Sequence, residues 1–474
     1  MHIRTQMLDK DEQETLHRAS LEVLEDVGMD IGSESVRGLL AARGARVTGE
    51  NVRFPAGMTE TYLQLARHEF VLAGRTEARD IRIPSRSGRS FNTTTGYVPF
   101  YRDEATGQDR PATSEDLRRF SVLSDALDAF DYFWPIILPS DVPEPFMEYR
   151  SLDVALRNTT KHVQASTSSG KLAHWQIECA ALIAGGKQQL RERPLISLLG
   201  APTTPLAIEK GIADSIVVCA QHGIPIVPMS LPQMGSTSPA TVAANAVMAN
   251  AEVLGCYLVA KCADEDAPVI YAADTGAPDM KTFAMKYDNP EFFILSTANQ
   301  DMARYYGMPS MVASGMNESK DFSTVAGFER NVLTVVLGLL TRTDLACWFG
   351  SVNNSLSCSL VEAMLDVEVH RYAAQYLKEW QCDPYKLALD VIKEAGPRGN
   401  FLSHRHTFKN FKEEIATRAP ADSYLFSDPK KGWRRLAEEQ LEATLEAHVP
   451  SPLDADLEKE LDALSSRALL DVVG

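Results

Sequence analysis

The residues able to do chemistry in this chain sit mostly where short apolar runs end. Such runs recur from Phe130 onward, and after them come Asp141, Thr167-Ser168, Pro202-Thr203-Thr204, Ser230 with Gln233, Asp274-Thr275-Gly276, Ser314-Gly315, the stretch Phe349-Gly-Ser-Val-Asn353, and His404. These are hydroxyls, amides and glycines, with few acids and bases. They contain no Ser-His-Asp order, no carboxylate pair spaced for acid–base work and no glycine-rich phosphate loop. Asp141 and Asp274 read as helix caps or loop anchors rather than catalysts. His404-x-His406 is the closest approach to a metal motif and lacks a third ligand, so no bound metal is expected. The seven cysteines include no C-x-x-C pair, and their odd number reads as reduced, mostly buried thiols.

The elements that must position these residues follow from periodicity. The runs are Phe130–Leu138, His162–Ser166, Leu195–Leu199, Pro225–Met229, Val269–Ala273, Ser310–Ala313, Asp344–Phe349 and Asn400–Ser403. Helical stretches with apolar residues every three or four positions lie between them, as at 205–221, 239–259, 289–306 and 322–340. Strands alternating with helices imply parallel pairing through helical crossovers, and eight such units fit an α/β (β/α)8 TIM barrel. In that fold the functional residues occupy the C-terminal strand ends. A doubly wound sheet fits less well, because the first strand–turn–helix lacks Gly-x-Gly-x-x-Gly. Before residue 129 the pattern is irregular. Helices start at Asp9 and Ser33, a hairpin spans 44–55, a helix 59–67 and a strand 69–72. Short antiparallel strands are expected over 81–111, then a helix capped by Thr113. The expected division is an N-terminal α+β extension packed on the barrel (1–128), the barrel (129–420) and a C-terminal helical tail (421–474).

Composition bounds the partners. The 474 residues carry a formal charge of −17, which disfavours nucleic acid. The apolar segment 332–340 is too short to span a bilayer, and the N-terminus has no hydrophobic leader, so a cytoplasmic protein without membrane contact is expected. A barrel of this size is expected to form a homo-oligomer.

Several stretches, in order, carry a family resemblance: His17-Arg-Ala-Ser-Leu-Glu-Val-Leu-Glu-Asp-Val-Gly28, Gly44-Ala-Arg-Val47 with Val52-Arg-Phe-Pro55, and Phe70-Val-Leu-Ala-Gly-Arg75. They continue with Thr106 through Leu117, Ser140-Asp-Val-Pro143, Asn250-Ala-Glu-Val-Leu254, Pro290-Glu291 through Pro309, and His448-Val-Pro-Ser-Pro-Leu453. Across nearly its whole length the chain resembles the trimethylamine methyltransferase family. The resemblance implies a (β/α)8 barrel that moves a methyl group from a methylated amine to the cobalt of a separate corrinoid protein. No cofactor is then tightly bound here, because the cobalamin arrives with its partner; the chain has no Asp-x-His-x-x-Gly cobalamin signature of its own. Founding members carry pyrrolysine. This sequence holds only standard residues, which places it with the branch resembling glycine betaine:corrinoid methyltransferases.

A quaternary ammonium leaves as a neutral tertiary amine, so the implied task is positioning and desolvation rather than proton transfer. A permanent cation is held best by aromatic faces, each worth about 0.5–2 kcal/mol. Trp348, Phe349, Trp134 and Tyr97 are the aromatic candidates, and His162 or His404 would hold a substrate carboxylate. Ser314 and Asn353 complete the expected binding set; no catalytic residue is assigned. Two stretches depart from the family pattern. Cys347-Trp348-Phe349-Gly350 stands where many relatives have a histidine, and Met311 through Met316 where they are richer in glycine. A larger or uncarboxylated amine is therefore open beside glycine betaine. The alternatives are a methyltransferase for tertiary amines or other N-methyl compounds, and a non-catalytic barrel that binds methylated amines.

Overall fold

The computed structural model describes residues 4–474 except 105, 286, 288, 315–324, 354, 378–380, 416–422 and 429, with only the backbone at 313–314, 325–330, 348, 413 and 426. Apolar, β-branched runs too short for helices form parallel strands, each beside the next in sequence. Val163–Ser166 pairs with Ile196–Leu199, and that strand with Ile226–Val227. Met229–Ser230 pairs with Tyr271–Ala273, which pairs with Ser310–Met311. Ala313–Ser314 pairs with Leu345–Phe349, and the latter with Phe91–Thr94. The segment 130–137 runs between Phe91–Thr94 and Val163–Ser166. Its Asp131 N–H donates to the Asn92 carbonyl and its Ile136 carbonyl accepts from Val98, while Phe133 bridges to Val163 in parallel.

Helices fill the intervals: Ser114–Ala126, Met147–Asn158, Gly170–Ala184, Lys210–His222, Val242–Ala263, Pro290–Tyr306, Val325–Thr341 and Leu360–Ala374. Each packs beside its sequence neighbour. The strand–helix alternation is thus the mixed α/β pattern expected, with two corrections. Asn400–Ser403 is not a strand but a turn leading into the helix Arg405–Glu414. Phe91–Thr94, expected among antiparallel strands, is parallel to Leu345–Phe349. Its Phe-Asn-Thr-Thr sequence is polar, yet all four residues are buried, because both faces are covered.

One cluster of buried side chains lies between strands and helices; a second includes Tyr132, Trp134, Val227, Met229, Met311 and Cys347. The antiparallel hairpin Phe70–Leu72/Ile81–Ile83 supplies apolar residues to the second cluster. Backbone bonds from Ala73 to Pro194 and from Arg75 to Thr160 hold it at the strand starts. Over the strand ends lies a small sheet of Phe100–Arg102, Asp109–Pro111, Ser351–Val352 and Ser357–Cys358. Val242–Ala263 is the one described helix long and apolar enough to cross a membrane, and 72% of its most apolar window is buried inside the protein.

Candidate functional site

Asp274 follows Tyr271–Ala273 directly, and its N–H donates to the Ser230 carbonyl, fixing it at the strand ends. Among the described residues its carboxylate has neither a hydrogen-bond nor an ion-pair partner. Burial alone pushes its titration up to about 7. Among the described residues it therefore neither caps a helix nor anchors a loop. Asp141 does anchor one, accepting from the N–H and hydroxyl of Ser114.

The loop after Asp274 folds back on itself. Gly276 bridges Gln233, and Pro278 bridges Met285. A Cβ at Gly276 would lie 2.5 Å from Met285 Cε, so the methionine packs closely over the glycine in this return. The return brings Tyr287 to Asp274. The Tyr287 phenol and the Cys347 thiol are both raised, first by burial and then by the charge of Asp274. Cys347 is therefore a neutral, poor nucleophile. Tyr287 stands edge-on to Phe292, ring centroids 5.5 Å apart.

Among the described residues, three polar atoms in or beside the inner cluster are buried without a hydrogen-bond partner: Tyr132 Oη, Trp134 Nε1 and Gln164 Oε1. Gln164 Nε2 donates to Met311 Sδ at 3.3 Å. An unmade buried hydrogen bond costs about 1–3 kcal/mol, which a functional site can sustain. A Cβ at Gly96 would lie 3.0 Å from Trp134 Cζ2, so glycine lets the chain cross the indole on its way to Tyr97. Tyr97 Oη accepts from the Ser166 N–H at 3.1 Å, at the end of Val163–Ser166. Beside it Glu148 accepts from the N–H and hydroxyl of Ser168, and burial raises its carboxyl.

Of the residues expected from sequence, then, Tyr97 stands at the strand ends and Trp134 in the inner cluster. Phe349 does not join them. It is fully buried against Phe130 and His370, ring centroids 4.9 and 5.6 Å away, on the side of the helix Leu360–Ala374. A register shift between Cys347 and Phe349 breaks the alternation that would have kept the two on a common face. The backbones of Trp348 and Ser314 belong to the paired strands; their side chains lie outside the described residues.

His162 sits at the wrong end, just before its strand. Its Nδ1 is 3.2 Å from the carbonyls of Ala73 and Pro194, and its Nε2 is 3.0 Å from Ser197 Oγ. Burial pushes its titration down to about 4, so it is neutral and structural. Asn353 occupies a left-handed turn at φ 53° and donates to Asp109. His404 caps Arg405–Glu414 and lies 3.4 Å from Glu394. Among the described residues no group of three His, Cys, Asp or Glu is placed to hold a metal. Asp274 announces itself in sequence by its place after an apolar run. Tyr287, in a loop of unremarkable composition, gives no such signal.

A half-buried carboxylate with an aromatic neighbour suits a small organic cation. Comparison with known proteins agrees in kind. A family model described as trimethylamine methyltransferase matches residues 2–468. A trimethylamine methyltransferase of Desulfitobacterium hafniense is 30% identical, covering 92% of this chain and 89% of that one. A glycine betaine methyltransferase from another strain of the species is 27% identical, covering 96% of each. The crystal structure of the Methanosarcina barkeri monomethylamine methyltransferase shares the fold, with a TM-score of 0.52 at 12% identity over 99% of this chain and 89% of that one.

Proposed function

Since the chain belongs to the trimethylamine methyltransferase family, we propose that it takes a methyl group from a quaternary amine and passes it to the Co(I) corrinoid of a separate protein. The strand pairings support a closed (β/α)8 barrel beginning at Phe91 instead of residue 129, with the amine bound at the strand ends. We place the protein in the cytoplasm.

The observation that carries the reading is Asp274, a carboxylate beside Tyr287 and Cys347 that has no hydrogen-bond or ion-pair partner among the described residues. A tetraalkylammonium has no N–H to donate, so it is held by charge and by aromatic faces. Asp274 and Tyr287 offer both. The methyl carbon is attacked from the corrinoid side, the C–N bond breaks, and its electron pair stays on nitrogen. The tertiary amine departs neutral, so no general acid is required. A carboxylate favours the cationic substrate over a transition state in which nitrogen is losing its charge. Asp274 therefore contributes to binding and not to the chemical step. The corrinoid is a substrate delivered by its own protein.

The test is methylation of reduced cobalamin, followed by its absorbance change, with glycine betaine, proline betaine, carnitine, γ-butyrobetaine, choline and trimethylamine. Turnover of a quaternary member with trimethylamine inert is expected. Turnover of trimethylamine alone would shift the reading to tertiary amines. Silence with the native corrinoid protein present would leave a binding protein.

A further inference from the structure

Between the hairpin Phe70–Leu72/Ile81–Ile83 and the strand starts lies a cavity of about 510 Å³, a volume in the range of small-molecule sites. Phe91, Phe130 and Lys161 line it, each at the start of a strand segment or within two residues of one. It therefore lies at the opposite end of the strands from Asp274 and Tyr97. Its other walls are basic, in a chain whose net charge is −17. Arg79, Arg82, Arg86 and Arg89 enter them from the hairpin and the turn that follows it.

Ion pairs account for only part of this charge. Arg82 lies 3.5 Å from Glu69. Arg89 clasps Asp131 through both terminal nitrogens, at 2.6 and 3.0 Å, and stacks over Phe91, 4.6 Å from the ring centroid. Asp80 accepts from Arg193 and from the Gly74 N–H. Among the described residues, the guanidiniums of Arg79 and Arg86 have neither an ion-pair nor a hydrogen-bond partner. Lys161 is 4% exposed; its ammonium donates to the carbonyls of Ser124, Leu127 and Phe130 and has no carboxylate partner. Burial first and Arg79 second push its titration down to about 8, so the two cations stand close enough to repel. Asp128, exposed, is the lining carboxylate left uncommitted among the described residues. Three cationic groups thus face one carboxylate.

Like charges held side by side cost stability, yet the strand-start face of this fold is where residues ordinarily serve stability. An occupant of opposite charge resolves the conflict. We propose that the cavity binds a small polyvalent oxyanion, a phosphate ester or a polycarboxylate, whose oxygens are taken by the guanidiniums of Arg79 and Arg86 beside Lys161. A planar guanidinium pairs with two oxygens of either group at once. A quaternary amine is repelled by the same charges, so this is a second site and stands independently of the amine reading.

Isothermal titration calorimetry of the full chain at low salt, with pyrophosphate and with citrate as probes, tests this. Saturable binding of one molecule per chain is expected for at least one of them. Pyrophosphate alone would mark a phosphate ester as the ligand, citrate alone a polycarboxylate. Arg79→Gln and Arg86→Gln should each weaken binding at least about tenfold, with the circular dichroism spectrum and thermal midpoint of the wild type. Arg46→Gln, exposed and outside the cavity, should leave the affinity unchanged. Arg86 is itself exposed, so its variant judges the proposal even where Arg79→Gln unfolds. No saturable binding of either probe up to about 5 mM, an affinity unchanged in Arg86→Gln, or an equal loss in Arg46→Gln would each overturn the proposal.

Discussion

Asp274 carries the sharpest predictions because its charge state is set by the fold. Replacing it with Asn removes the charge and keeps the shape, so KM for the quaternary amine should rise at least about tenfold, as for losing one charged contact. kcat should hold or rise, since the carboxylate favours the ground state. In steady-state kinetics a fall in kcat with KM unchanged would remove Asp274 from the binding site. With a titration near 7, wild-type kcat/KM should drop as pH falls through that value, and the Asn variant should lack the step. Stability runs the other way. A carboxyl raised in the fold from its ordinary 3.8 contributes stability that is complete below about 3.8 and is lost as pH rises through 7. The amine should therefore raise the thermal midpoint more at pH 8 than at pH 6. His162 makes the contrast. Its replacement by Ala orphans buried partners and should cost about 2–3 kcal/mol in denaturant titration, with KM unchanged in the folded fraction. The two residues also measure what sequence can say about a site. His162 adjoins an apolar run as Asp274 does, but at its start, and composition alone does not give the run a direction. Phe349 was misdirected by a single register shift, invisible in the residue types.

At the scale of elements the sequence was more legible, because burial on both faces forces continuous apolar runs and a helix packed on strands must repeat every three or four residues. Seven of the eight runs lie in the parallel set. The exceptions are instructive. Phe91–Thr94 uses its hydroxyls within the sheet, with Thr93 Oγ1 accepting from the Trp134 N–H, so a polar stretch serves as an interior strand. Asn400–Ser403 lies between the short helices Leu389–Ala395 and Arg405–Glu414, where apolar residues such as Leu402 face outward, and so mimics a core run. Close approaches between elements are likewise hidden in the sequence until the backbone is known. A Cβ at Gly211 would stand 2.1 Å from the Ser168 carbonyl oxygen, where Lys210–His222 meets the loop after Val163–Ser166. Gly211→Ala must part the two and should cost at least about 2 kcal/mol, read by chemical denaturation. Ser168 also bonds Glu148 beside Tyr97, so kcat/KM should fall more than the folded fraction does. A stable, fully active Gly211→Ala enzyme would show that this contact does not set the loop.

For the whole molecule, the question is which peripheral segments belong to the body. The last helix, Ala455–Val473, does: Leu461, Leu464 and Ala468 are in the core, and Asp471 takes hydrogen bonds from Trp175 and Lys171 on Gly170–Ala184. Its other tie is ionic. Asp153, fully buried, is flanked by Arg150 and Arg157, and Arg157 reaches on to Glu458 and Asp462 of the last helix. Burial outweighs both guanidiniums and holds the Asp153 carboxyl above its ordinary range. Removing Arg157 leaves that charge half-compensated in the interior, so Arg157→Leu should cost about 3 kcal/mol, near the lower end for a broken buried pair because Arg150 remains. Glu458→Gln trims only the exposed end of the chain of charges and should cost less than about 1 kcal/mol. If the two variants unfold at the same denaturant concentration, the network does not fasten the last helix, and its apolar face does so alone. The short helices of 384–415 offer the opposite case. Among the described residues none of their apolar side chains joins a buried cluster, so Leu402→Asp should leave the unfolding midpoint nearly unchanged in denaturant titration. Two peripheral segments thus differ in what they bury, and that difference sets how much each contributes to the stability of the fold.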